Sequence, residues 1–206
     1  MRDKNHIYNN PIFKVLMITM GLLIIGLGMA ISYKTGMGTT PMATAIDGLT
    51  KIIPINYGQG SIILNSLFLI IAIFIKRDKI HIGTILVVFT LGLYINLFVD
   101  LIDADTLFVN YQLIFNLIGT VTTALGIAVI VKQNFGLGPL EIMTEVIKDK
   151  FGWSYRRSKI TFDVILLITG IMMGGVYGLG TISNVVFVGV FIQMFLELFN
   201  KKSNMI

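Results

Sequence analysis

The sequence predicts an all-α integral membrane protein: six transmembrane helices forming two inverted three-helix repeats, each with a short amphipathic or re-entrant helix after its first span. Three observations carry that expectation. The composition is too apolar for a soluble domain, the apolar runs match the thickness of a bilayer core, and one half of the chain echoes the other. Hydrophobic residues make up 55% of the 206 and charged residues 13%, with a mean hydropathy of +0.84. A soluble domain of that size has too little interior to hide so much apolar surface. The net charge of +5 is not a nucleic-acid signature, because Lys and Arg gather at the ends of apolar runs, where they set topology. Cys is absent and His is limited to His6 and His81, so disulfides, thiol chemistry and a Cys/His metal site are excluded or nearly so, and no cofactor is expected. Arg2 and Lys4 precede an apolar run of span length with no small-residue cleavage site. That run is therefore read as a helix and not as a signal peptide.

A hydrocarbon core of about 30 Å needs roughly 20 apolar residues of helix. Six runs qualify: Ile12 to Tyr33, Gly60 to Ile75, Ile82 to Ile102, Tyr111 to Val131, Ile160 to Tyr177 and Thr181 to Phe199. The second is short and borrows Tyr57 to Gly60. Counting cations assigns the connecting segments to sides. One face collects Arg2, Lys4, Lys14, Lys76, Arg77, Lys79, Lys132, Lys148, Lys150, Arg156, Arg157, Lys159, Lys201 and Lys202, while the other keeps only Lys34 and Lys51, beside Asp47, Asp100, Asp103 and Asp105. This bias predicts both termini in the cytoplasm of a bacterial cell membrane. Between spans one and two, Pro41 to Ile53 places Met42, Ala45, Ile46, Leu49, Ile52 and Ile53 on one helical stripe and Thr44, Asp47 and Lys51 on the other. Pro139 to Phe151 repeats the pattern with Glu141, Thr144, Glu145, Lys148 and Asp149 polar. Both helices are too short to cross, and both begin with the proline that suits a first helical position.

Shifted by 98 positions, Leu27 to Pro41 lies over Leu125 to Pro139 without a gap, with six of the fifteen residues identical; chance gives about one. The same offset pairs Lys34 with Lys132, Gly38 with Gly136 and Asn65 with Asp163. After one residue is lost, Gly83-Thr84-Ile85 meets Gly180-Thr181-Ile182, and Gly92, Asn96 and Asp100 meet Gly189, Gln193 and Glu197. The expected units are residues 1–106 and 107–206, three spans each. An odd number of spans makes the second copy enter the membrane from the opposite face, a plan recurrent in transporters and channels.

Polar residues inside spans are costly, so each needs a partner or water. Asn65, Asn96, Asn116, Asp163, Asn184 and Gln193 are those positions. They serve either as the lining of a polar route between the halves or as interhelical hydrogen bonds; Asp163 has the further option of pairing with Lys159, four residues before it. The starts of the short helices offer free amides and a positive dipole end. The candidate substrate-binding set is therefore Thr39, Thr40, Pro41, Gly136, Gly138, Pro139 and Glu141 with Asn65, Asp163, Asn96 and Gln193. Because Glu141 sits in the first turn of its helix, an anion is better placed near Thr39 and Thr40. Glu141, Glu145 and Asp149 together read as a solvated acidic stripe. Ion pairs are expected between Lys34 and Asp100 and between Lys132 and Glu197, each latching the first span of a unit to its third; ordinary snorkelling is the alternative. Gly170 and Gly174 have the spacing that permits close helix approach, within the chain or in a homo-oligomer. No nucleophile, base and orienter can be assembled, so no enzyme is expected.

At Gly136-Leu-Gly-Pro-Leu-Glu and Gly178-Leu-Gly-Thr-Ile-Ser-Asn-Val-Val-Phe-Val-Gly the chain resembles the YczE-like, YitT-related family of bacterial multi-pass membrane proteins. The likeness runs from Phe13 to Phe199. Such proteins typically carry a Gly-x-Gly-Pro turn after a span, an arginine shortly before a span with an aspartate inside it, and a Gly-x-Gly-Thr start to the last span. Gly136 to Pro139, Arg156 or Arg157 with Asp163, and Gly178 to Thr181 correspond. The resemblance implies a cytoplasmic-membrane protein and no particular activity. The function expected from the sequence is passage or binding of a small solute between the halves, with the lipid bilayer as surroundings and no nucleic-acid partner. The alternative is a non-transporting component that scaffolds or regulates a partner complex.

Overall fold

The computed structural model describes residues 10–55, 57–103, 111–133, 135 and 138–203. Among these, every regular element is helical: α1 (Pro11–Lys34), α2 (Pro41–Ile52), α3 (Tyr57–Ile75), a 3-10 turn (Arg77–Lys79), α4 (Ile82–Leu101), α5 (Gln112–Gln133), α6 (Pro139–Phe151), α7 (Tyr155–Met172) and α8 (Leu179–Ser203). The helix starts are written locally. Asn10 accepts from the Ile12 amide at 2.9 Å and Thr40 from the Ala43 amide at 3.2 Å, each followed by proline. Ser154 caps α7 through the Arg157 amide at 3.3 Å. These caps occupy donors that a helix start otherwise leaves unpaired. Between α1 and α2 the chain turns on Gly36 and Gly38 at φ 68° and 87°, a left-handed backbone that a side chain disfavours.

Helices α1, α4, α5 and α8 are long and apolar enough to cross a membrane. The other two expected spans have different characters. Helix α3 offers the shorter apolar stretch Gln59–Ile75, and α7 carries Arg156, Arg157, Lys159 and Asp163 in its first half. It begins at Tyr155 and ends at Met172, five residues earlier at each end than the apolar run suggested, because Ser154 supplies a cap and Gly174-Gly175 a stop. Large side chains stand exposed along the outer faces, with Phe74 85%, Met172 82% and Leu113 65% accessible. Such a surface requires an apolar surrounding, and the helices, which satisfy their own amides, can stand in one.

The buried side chains form two clusters. The first joins the four long spans through Ile18, Leu22 and Ile25 of α1, Val87 of α4, Ala124, Ile127, Ala128 and Ile130 of α5, and Val188 and Ile192 of α8. The second joins α2, α3, α6 and α7 through Met42, Ala45, Ile46, Ala72, Ile142, Met143, Phe162 and Leu166. Helices α1 and α5 cross where glycines face glycines. A Cβ on Gly28 would stand 2.6 Å from the Gly119 carbonyl oxygen, and one on Gly126 would stand 2.6 Å from that of Gly21. Rising numbers on one helix meet falling numbers on the other, so the two run antiparallel. Gly119 and Gly126 are Gly21 and Gly28 displaced by the same 98 positions. Gly170 likewise lies against α2, with a Cβ there 2.7 Å from the Ala45 amide nitrogen, so packing within the chain accounts for its small size.

Side chains do not fit at that crossing, so Gly126→Leu is expected to cost at least about 1–3 kcal/mol and to lower the thermal unfolding temperature of detergent-solubilised protein. Gly92, whose added Cβ would meet nothing within 4 Å, is the control: Gly92→Ala is expected to be neutral or to gain up to about 1 kcal/mol of helix propensity.

Candidate functional site

A cavity of about 450 Å³ lies between the two helix clusters, and all eight helices contribute to its wall. Both short helices point their first residues at it, Thr40 and Pro41 from α2 and Gly138, Pro139 and Glu141 from α6. Ser61 and Asn65 enter from α3, Asn96 from α4, Thr123 from α5, Lys159 and Asp163 from α7, and Asn184 from α8; Ile25, Met29, Val87 and Ile127 are part of the apolar remainder.

The charged end of the cavity is specific in its geometry. Lys159 donates to Asp163 Oδ1 at 2.5 Å one helical turn away, with their side chains 7% and 4% exposed. Glu141 lies within electrostatic range of both, yet the ion pairs of the described residues leave it without an ammonium partner: they are Lys51–Asp47, Lys76 with Glu145 and Asp149, Lys79–Glu145, and Lys159–Asp163. Its carboxylate turns back toward Gly138, where an added Cβ would collide with Oε2, and accepts from its own amide. Tyr155, at the start of α7, buries a hydroxyl that finds no hydrogen-bond partner within electrostatic range of Glu141 and Asp163. Asn65 spends its amide on Ser61, at 2.9 Å to the carbonyl oxygen and 3.3 Å to Oγ, and Asn184 donates to the Gly180 carbonyl at 2.9 Å.

Of the residues singled out by sequence, Thr40, Pro41, Asn65, Asn96, Gly138, Pro139, Glu141 and Asp163 line this one cavity. Thr39 and Gln193 do not, and Gly136 lies outside the described residues. Gln193 instead donates to Glu197 at 3.0 Å. The expected latch between Lys132 and Glu197 is not formed: Lys132 donates to the Phe199 carbonyl at 2.8 Å and sits 5.2 Å from that ring's centre. The Lys132 ammonium is thus taken up by the carbonyl and ring of Phe199, and Glu197 accepts from Gln193 instead. Lys34 and Asp100 are likewise absent from the ion pairs. The acidic stripe is not simply solvated either, since Glu141 faces the cavity while Glu145 and Asp149 bind Lys76 and Lys79. Sequence reasoning missed Ser61 and Thr123 as lining, for which helical spacing gives no signal, and treated Lys159 only as the neighbour of Asp163.

Two fastenings close the short helices onto the other half of the chain. On α2, Asp47 accepts from the Val176 amide at 2.7 Å and Lys51 donates to the Gly174 carbonyl at 2.5 Å. On α6, Glu145 receives Lys76 at 3.5 Å and Lys79 at 3.8 Å, while Asp149 hydrogen-bonds Lys76. Glu145 and Asp149 occupy the positions of Asp47 and Lys51 displaced by 98. The hydrogen bond from Lys76 holds the Asp149 carboxyl below its usual pKa against a smaller effect of desolvation. For Lys76, burial lowers the pKa, but the hydrogen bond and the charges of Glu145 and Asp149 outweigh it and the net shift is upward.

The all-helical fold, four bilayer-length apolar helices and lipid-suited exterior define a multi-helix membrane protein. The sequence matches the model of a family of unknown function, DUF6198, over residues 12–197. The chain belongs to that family and is YczE-like. It is 26% identical over 188 residues to the uncharacterized protein YyaS of Bacillus subtilis, covering 90% of this chain and 93% of that one. It is 25% identical over 174 residues to the uncharacterized membrane protein YczE of the same bacterium, covering 84% and 80%. An uncharacterized protein of Haemophilus influenzae shares 23% over 184 residues, 89% and 84% of the two chains. No solved structure matches. Among the described residues no three His, Cys, Asp or Glu gather closely enough to hold a metal ion.

Removing one member of the buried pair strands the other. Lys159→Met is expected to destabilise by about 3–5 kcal/mol, and Lys159→Met with Asp163→Leu to regain most of it, read by thermal unfolding of the solubilised protein. The Asp149 contact contributes above the ordinary carboxylate pKa of about 4 and is lost as pH falls through the lowered value; the Lys76 side is lost only as pH rises above about 10.4. Unfolding temperature should therefore hold steady through neutral pH and drop below about pH 4, and Lys76→Met should remove part of that acid sensitivity. The effect should stay under about 1 kcal/mol, because Asp149 is half exposed.

Proposed function

We propose that this protein is a small-solute permease of the bacterial cytoplasmic membrane, with the cavity between its two helix clusters as the binding site. The carrying observation is that both short helices begin at one cavity that also holds a buried ion pair and an additional carboxylate. Its volume falls within the range of small-molecule sites. A non-transporting scaffold would instead favour a dry, closely packed midplane.

In this reading α3 and α7 also cross the bilayer, giving six spans in two inverted units, residues 1–106 and 107–206, with both termini cytoplasmic. The pairing of helices supports it. Helix α2 packs on α7 as α6 packs on α3, and α1 on α4 as α5 on α8; the antiparallel α1–α5 crossing joins repeat-related glycines. The chemistry is binding and release without covalent steps, and the two fastenings of the short helices are the contacts that would open in turn.

Because the chain has no cysteine, single cysteines report directly. Ser61→Cys and Asn65→Cys are expected to react with a small neutral thiol reagent in membranes, and Ala124→Cys, fully buried between spans, is expected to resist. Lys51→Cys and Arg156→Cys should be reached by an impermeant maleimide from opposite sides of the membrane. Reaction of both from one side would overturn the inverted arrangement.

A further inference from the structure

Among the described residues, the wall of the cavity is exposed on one flank. Every exposed residue of its wall belongs to α3 or α4: Ile62, Phe89, Gly92, Leu93 and Asn96. Ile62 is 48% accessible, Phe89 61% and Leu93 66%. The corresponding flank between α7 and α8 is shut. Gly189, the position matching Gly92, is buried, and a Cβ there would lie 3.4 Å from the Arg156 carbonyl oxygen and 3.7 Å from the Lys159 Cβ, whereas one on Gly92 meets nothing within 4 Å. Helices α3 and α4 flank the cavity partway along their lengths, and apolar side chains that open outward there face hydrocarbon when the long helices stand in a bilayer. The opening therefore leads toward lipid chains.

Three ionisable side chains, Glu141, Lys159 and Asp163, belong to the same wall. Lys159 is engaged by Asp163 at 2.5 Å and acts on Glu141 only at longer range, so Glu141 is the carboxylate of the described lining that stands outside an ion pair. The starts of α2 and α6 add positive potential equivalent to about half a charge each. That of α6 is next to Glu141 itself, and the α2 start has its Ala43 amide occupied by Thr40. A carboxylate left outside any ion pair is the group of this wall that a cationic head can engage through a charge-assisted hydrogen bond.

Resting on the permease reading above, we propose that the cavity takes a single-chain amphiphile with a cationic amino head, admitted sideways from the bilayer between α3 and α4. The head lies at Glu141, with the Lys159–Asp163 pair beside it. The alkyl chain passes Leu91 and Gly92 and leaves between Ile62 and Leu93. An anionic amphiphile meets Glu141 head-on. A short ammonium ion loses the apolar contacts, each buried methylene being worth about a factor of four in affinity.

The test uses the full chain in nanodiscs with a reporter cysteine at Asn65→Cys, and at Ser61→Cys should the first fail to fold. Each is modified by neutral methyl methanethiosulfonate in the presence of decyltrimethylammonium, tetramethylammonium or decanoate. Decyltrimethylammonium is expected to slow modification about tenfold or more, the other two far less. Glu141→Gln should abolish that protection, and Gly92→Trp, which fills the mouth, should abolish it while leaving the small reagent reactive. Equal protection by decanoate, or protection undiminished in both variants, would overturn the proposal while leaving the permease reading intact. A reporter that never reacts in folded protein would overturn the permease reading and this inference with it.

Discussion

Two pairs of glycines decide how closely α1 and α5 approach, Gly21 with Gly126 and Gly28 with Gly119, and the position of everything else follows from that approach. With backbone against backbone, the long helices gain dispersion contacts over their lengths, which is what drives association where lipid is as apolar as the side chains. The flanking spans α4 and α8 then pack beside this central pair through Val87, Val188 and Ile192. The short helices cannot enter so tight a group. They gather with α3 and α7 in the second cluster, and the seam between the clusters is the cavity. A larger residue at the crossing would therefore act far from where it sits, by changing the width of that seam.

The ends of the short helices and most of the cavity's polar wall were legible in the sequence because their signals are local. Proline after a threonine or a glycine marks a helix start wherever it occurs, and a carboxylate in an apolar run stands out by its cost. Pro41, Pro139 and Asp163 belong to that class, whereas Glu141, on the polar stripe of its helix, was read with Glu145 and Asp149 as solvated and faces the cavity instead. Contacts that depend on rotation about a helix axis were not legible. Lys132 and Glu197 lie near the ends of neighbouring spans, yet Lys132 faces Phe199 and not Glu197, a difference of two residues that no hydropathy pattern encodes. Ser61 and Thr123 were invisible for a related reason, since a small hydroxyl in a span usually satisfies itself on its own helix and carries no mark of facing a cavity. Helix α7 began earlier than its apolar run because charged residues can occupy the first turns of a helix when they are exposed, as Arg156 and Arg157 are, or paired, as Lys159 is.

The same reasoning separates the buried pair from the surface ones. Lys159 and Asp163 sit one turn apart on a single helix, so little conformational freedom is spent in bringing them together, and each offsets part of the desolvation penalty the other would bear alone. Glu141 comes from a different helix and shares their field without sharing their partner. Three ionisable groups thus meet in a wall that is otherwise amide, hydroxyl and hydrocarbon, two of them paired and the third left outside the pair.

The fastenings of α2 and α6 occupy matching positions but use different materials. Helix α2 is held mainly through backbone groups, the Val176 amide and the Gly174 carbonyl, while α6 is held by lysines on carboxylates. Dissolved salt screens the attraction between full charges more than it disturbs a bond to a peptide group. The seat of α6 is thereby made responsive to the ionic composition around it, while that of α2 is left less sensitive to it.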